Sequence, residues 1–131
     1  MAFTAFLFFG HLEEYPELRV AFVHGGASWV PMLLEKNETY LTLSPAIQDV
    51  SLSPEEVIRN RPFLVSFDAW ESSVGALHDQ FEGFGAWGSR YPHPDAAAPD
   101  EAIATLKQHG TPDPVVAELM GKNAARFFGV E

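Results

Sequence analysis

The chain has 131 residues, 47% of them hydrophobic and 20% charged, a composition that fits one folded globular domain. Its formal net charge of −10 excludes a general nucleic-acid binder, which needs a basic footprint to displace counterions, and disfavours anionic membrane surfaces. Cysteine is absent, which excludes disulfides, thiolate metal sites and a cysteine nucleophile and makes the cytoplasm the expected compartment.

Residues 2–14 predict a helix: Phe3, Phe6, Leu7 and Gly10 recur at helical spacing, and Phe8, Phe9 and Leu12 widen the apolar surface. The run lacks a basic n-region and stops at Phe9, before His11 and two glutamates. It is therefore neither a secretory signal nor a membrane span, which takes about 18 apolar residues or more. A helix this apolar needs a cover, which points to a partner or to an upstream segment. Pro16 breaks it, because a proline disfavours helical geometry in the residue before it.

Leu18 to His24 is an apolar run of strand length interrupted only by Arg19, as in strands buried on both faces of a parallel sheet. "GGAS" follows as a turn, and "WVPMLLEKNETYL" reads as a helix. Ser53-Pro54-Glu55-Glu56 opens another: serine caps, proline suits the first helical position, and Glu56 reaches back as in a capping box. That helix ends near Asn60. "FLVSFDAW" (63–70) is a second strand, and 72–81 an amphipathic helix. "FGAWGSRYPH" (84–93) is a third strand followed by a proline-rich loop. Asp100 is placed to cap a helix over 101–109 that stops at Gly110. Thr111-Pro112 opens a helix to about Met120, and Asn123 to Phe128 form a last short one ended by Gly129. Apolar strands alternating with helices, without tight hairpins, predict an α/β fold with a parallel sheet.

In such folds ligands meet the carboxyl ends of the strands. The first strand ends in His24-Gly25-Gly26, the second in Asp68, Trp70 and Glu71, the third in Ser89, Arg90, Tyr91 and His93, with Asp95 shortly after. His24 is either a structural histidine at a strand end or part of an active site. Arg90 has the fork to hold a substrate carboxylate, or it pairs with one of the chain's own acids. His93 and Asp95 are residue types that suit a metal, though proline-rich loops often hold such residues by chance. Asp68 and Glu71 also fit a plain helix start, where acids are favourable. Neither a dinucleotide fingerprint nor a serine-hydrolase elbow is present.

"YPELRVAFVHGG", "WGSRYPH" and "MGKNAARFFGV", in that order, resemble the amidohydrolase-related family of metal-dependent hydrolases and decarboxylases, the branch that includes aminocarboxymuconate-semialdehyde decarboxylase. The resemblance runs over essentially the whole chain. It implies a partial (β/α)8 barrel made of the last three parallel strands and their flanking helices, since whole barrels take about 250 residues. It also implies His24 as catalytic acid/base; Arg90, Trp70 and Tyr91, at the ends of the second and third strands, are the candidates to hold a small carboxylic-acid substrate. A divalent metal, zinc foremost, is implied as cofactor, with His93 and Asp95 as its candidate ligands. Arg90 stands where the family carries an aspartate that ligates the metal, and arginine cannot ligate one. The family's H-x-H motif and fifth-strand histidine have no counterpart in these 131 residues.

Two functions follow. One is the C-terminal part of a hydrolase or non-oxidative decarboxylase. The other is a non-catalytic remnant that serves assembly or interaction. Three strands of a barrel leave open edges, so a homo-oligomer or the upstream half of the barrel is the expected partner.

Overall fold

The structure, a computed structural model, describes residues 2–8, 10–43 and 53–130, apart from the side chains at 7 and 8. Phe9 and the side chains of Leu7 and Phe8, assigned above to the apolar face of the first helix, lie outside the described residues. The chain divides into two compact units: Met1–Arg19 with Trp29–Phe63, and Val20–Ser28 with Leu64–Glu131.

In the first unit the helix expected over 2–14 is two pieces, α1 (Ala2–Phe8) and α2 (His11–Glu14). Gly10 between them takes φ 67°, a left-handed conformation that only glycine adopts without strain and that ends α1. Phe3 is covered within its own unit, its ring edge-on to Trp29 at 5.1 Å and to Phe63 at 5.6 Å between centroids. Such pairs add to the area the rings bury. α3 (Val30–Leu43) follows. α4 (Pro54–Asn60) starts on the capping box its sequence predicts: Glu56 N donates to Ser53 Oγ at 3.2 Å, and Ser53 N to Glu56 Oε2 at 2.9 Å.

In the second unit β1 (Val20–Phe22), β2 (Phe63–Phe67, counted here from Leu64) and β3 (Gly85–Trp87) form a sheet in the order β1-β2-β3. β2 and β3 are parallel, with Val65 opposite Gly85, Ser66 opposite Ala86 and Phe67 opposite Trp87. β2 is a nearly continuous buried run, as a central strand should be. β1 is not buried on both faces as its sequence suggested. Val20 is buried, Ala21 exposed and Phe22 half-buried, because β1 is an outer strand of this sheet.

The predicted helix over 72–81 breaks at Leu77 into α5 (Ser72–Ala76) and α6 (His78–Phe81). α7 runs Pro99–Gln108 with Ala98, not Asp100, at its N-cap. Proline's fixed φ takes the first helical turn and moves Asp100 inside the helix. Gly110 at φ 85° ends α7, and Thr111 N donates to Leu106 O at 3.1 Å. The two C-terminal helices expected as separate pieces are continuous: α8 (Asp113–Ala117), a π-helical turn (Glu118–Lys122) and α9 (Asn123–Phe128).

β3 packs on that π-helical turn at van der Waals contact. A Cβ on Gly85 would lie 2.9 Å from Leu119 Cδ2 and 3.0 Å from Phe81 Cβ, both fully buried side chains. Asn123, 1% exposed, donates from Nδ2 to Gly85 O at 2.8 Å and satisfies the carbonyl where β3 meets the helix. Helix packing is close as well, since a Cβ on Gly75 of α5 would meet His109 Cβ just after α7 at 2.9 Å.

Candidate active site

The carboxyl ends of β1 and β3 carry two non-glycine residues in the left-handed region, His24 at φ 63° and Arg90 at φ 58°. Such residues are uncommon and gather at functional sites, where surrounding contacts over-determine them. His24 is held by its backbone, with its N donating to Ser66 Oγ at 3.1 Å, while the residue itself is exposed. Sequence reading passed over Ser66. Its signal is there as the single hydroxyl in an otherwise apolar strand.

Side chains alternate along a strand, so Leu64 and Ser66 share one face of the sheet with Ala86 and Gly88. These four, with Val23, His24, Arg90, Tyr91 and Phe128 among others, line an open hollow of about 370 Å³. Its floor is mostly apolar and its rim carries imidazole, guanidinium and phenol, the make-up of a small-molecule site.

The sequence offers Glu71 both as a polar group at a strand end and as an acid at a helix start, and its side chain does not cap α5. It reaches instead across to the loop after β1. Its carboxylate accepts from Ala27 N at 2.8 and 3.1 Å, from Ser28 N at 2.8 Å and from Ser28 Oγ at 2.6 Å. It also accepts from Asp68 N at 2.7 Å. A Cβ on Gly26 would sit 2.9 Å from Glu71 Oε1, so only glycine lets the loop approach this closely.

Both terminal nitrogens of Arg90 meet the chain's own acids, while its buried Nε has no hydrogen-bond partner among the described residues. Nη1 donates to Asp68 Oδ2 at 2.9 Å, and Nη2 lies 3.2 Å from Asp95 Oδ2. Its guanidinium carbon stands 5.8 Å from the ring centroid of Trp70, so Trp70 touches the arginine. Tyr91 borders the hollow and is 83% exposed. His93 N donates to Arg90 O at 2.8 Å, and the His93 ring lies 6.2 Å from that of His24. His93 Nδ1 is 4.0 Å from Asp95 Oδ1. The structure thus brings His24, Arg90 and Tyr91 to one hollow, with the His93 ring beside that of His24 and with Trp70 and Asp95 joined through Arg90.

Residues 2–130 match the amidohydrolase family. The chain belongs to that family. Among solved structures the chain is similar to 5-carboxyvanillate decarboxylase LigW from Sphingomonas paucimobilis, at 21% identity and a TM-score of 0.71. The match covers 98% of this chain and 38% of that one, so the chain spans well under half the length of this structural neighbour. At that identity the likeness is one of fold, and the three parallel strands with flanking helices are a partial (β/α)8 barrel. No curated protein sequence matches the chain. Among the described residues no helix is long and apolar enough to cross a membrane.

Amidohydrolases are in general metal-dependent. The donor set among the described residues of this chain does not fit a metal by itself. Among the described residues no group of three His, Cys, Asp or Glu side chains is placed to hold an ion. His93 and Asp95 are a pair only, and the Asp95 carboxylate is shared with the Arg90 guanidinium, which repels a cation.

Proposed function

We propose that this chain supplies part of the active site of a hydrolase or non-oxidative decarboxylase acting on a small carboxylic acid. The observation that carries the reading is the pair of left-handed residues, His24 and Arg90, on either side of one hollow at the strand ends. An imidazole both accepts and donates a proton, and His24 stands exposed at the edge of the hollow, where proton transfer to a bound acid needs it. Arg90 would orient the substrate's carboxylate with a planar fork. Asp68, its side chain 10% exposed, keeps that fork in place, whereas Asp95, 45% exposed, is the partner an incoming carboxylate would displace. Trp70 would hold the guanidinium plane, and Tyr91 would close the rim. Turnover would need the rest of the barrel, or a second copy, to complete the sheet.

A second reading, a non-catalytic assembly or interaction module, is favoured by one observation: both ends of the Arg90 fork are already filled by Asp68 and Asp95. Binding separates the two. 5-Carboxyvanillate, the aromatic acid named for the structural neighbour, and benzoate are the probes, read by calorimetry on the folded chain. The enzyme reading expects saturable binding that Arg90→Ala weakens about 10-fold or more, as for loss of a charge-assisted fork. It also expects turnover, in the complete enzyme, to vanish in His24→Ala without loss of folding. A folded chain that binds neither acid supports the assembly module.

A further inference from the structure

We infer that Glu71 is a positioning residue that sets His24 against Arg90. The assignment rests on the roles just given to those two residues, but its geometry and its test stand apart from turnover. His24 belongs to the loop after β1, and Arg90 to the loop after β3. The two loops share no regular secondary structure, and His24 is too exposed for packing to fix it. Beyond the shared sheet and the bond from His24 N to Ser66 Oγ, one carboxylate joins them. On one side Glu71 takes the amides of Ala27 and Ser28 and the Ser28 hydroxyl, which fixes the loop three residues beyond His24. On the other it takes the amide of Asp68, whose own carboxylate grips Arg90 Nη1. His93 in turn is tied to Arg90, its N donating to Arg90 O at 2.8 Å.

Elementary chemistry explains why a carboxylate does this and an amide would not. The groups that Glu71 meets in these bonds are all donors: three backbone N–H groups and one hydroxyl. An ionised carboxylate offers two acceptor oxygens and about four lone-pair positions. A glutamine at this position would turn its NH2 toward one of those N–H groups, so at least one bond would become a donor–donor clash. Loss of the lock would loosen the loop that carries the left-handed backbone of His24, leaving the bond from His24 N to Ser66 Oγ and the contact of Ser28 Oγ with Ser73 Oγ to restrain it.

The test is Glu71→Gln in the full 131-residue chain, read by NMR. His93 travels with Arg90, so the 6.2 Å approach of the His24 and His93 rings reports the distance between the two loops as a ring-to-ring nuclear Overhauser contact. Glu71→Gln is expected to abolish that contact and to speed amide exchange at Ala27 and Ser28 about 10-fold or more, as for loss of hydrogen bonds to a charged acceptor. Ser28→Ala removes only the hydroxyl and should keep the ring contact. Faster exchange at Ala27 and Ser28 with the His24–His93 contact intact would overturn the inference and leave Glu71 a holder of its loop alone. If Glu71→Gln does not fold, Glu71→Asp, which keeps the charge and withdraws it by one methylene, is read in the same way. Absence of acid binding in the wild-type chain would sink the proposed function and leave this contact, and its loss, as they are.

Discussion

Arg90 donates from Nη1 to Asp68 Oδ2 across 2.9 Å, with side chains 22% and 10% exposed, so water screens this pair far less than a surface ion pair. Removing the acid leaves a part-buried guanidinium without its shorter bond. Asp68→Ala is expected to lower stability by about 2 kcal/mol, the scale of a hydrogen bond to a charged group. Urea denaturation at neutral pH measures it. An unchanged midpoint would mean that Asp95 alone suffices to hold Arg90.

Gly85→Ala tests the seam between β3 and the π-helical turn. The added methyl would lie 2.9 Å from Leu119 Cδ2 and 3.0 Å from Phe81 O, and Leu119 and Phe81 have no exposed surface to move into. Overpacking of this kind costs about 1–3 kcal/mol. A variant as stable as wild type would show that the seam has slack the static geometry lacks.

Asn123→Ala strips the Nδ2 donor from Gly85 O and the Oδ1 acceptor from Arg126. A buried carbonyl left unpaired costs about 1–3 kcal/mol. Asn123→Asp should be no better, because a carboxylate has no N–H to give. Combined with Gly85→Ala the loss should be non-additive, since both changes act on one contact. Additive losses would place the two effects at separate sites.

What could be read from the sequence was local. Ser53 and Glu56 form their capping box because every participant lies within four residues. The strand-end residues were legible because a parallel α/β pattern sends ligands to that edge, and the structure does bring His24, Arg90, Tyr91 and His93 together there. The lone Gly10 inside an apolar helical pattern gave no sign of its positive φ, so α1 and α2 read as one. Glu71 and Asn123 were opaque for a different reason. Their partners lie 44 and 38 residues away, and no spacing rule points a side chain over that distance.

β1 and β3 are the outer strands of the sheet, with Ala21 exposed and Val23 57% exposed beside the first of them. Unpaired strand edges recruit further strands. The isolated chain is therefore expected to self-associate, and light scattering at micromolar concentration reads it directly. A clean monomer would count against pairing at these edges.

Glu118 titrates below its ordinary value of 4.5, first because Arg126 Nη2 donates to its Oε2 at 2.5 Å, with burial opposing and the charges of Arg126 and Lys122 adding to the shift. A carboxyl whose folded pKa lies below its unfolded one stabilises the fold fully above the unfolded value. That contribution is lost as pH falls through the folded value. The Arg126 side chain is 48% exposed, so the contribution is small and salt weakens it. Arg126→Ala should return the Glu118 carboxyl toward its ordinary range in a carbon-detected NMR titration. It also removes a partner of the Asn123 side chain, an effect that does not titrate and sets a constant offset. The stability gap between wild type and Arg126→Ala should therefore be widest at neutral pH. It should narrow toward that offset as pH drops below 4.5. A gap that stays flat across that range would mean the ion pair contributes nothing beyond the offset.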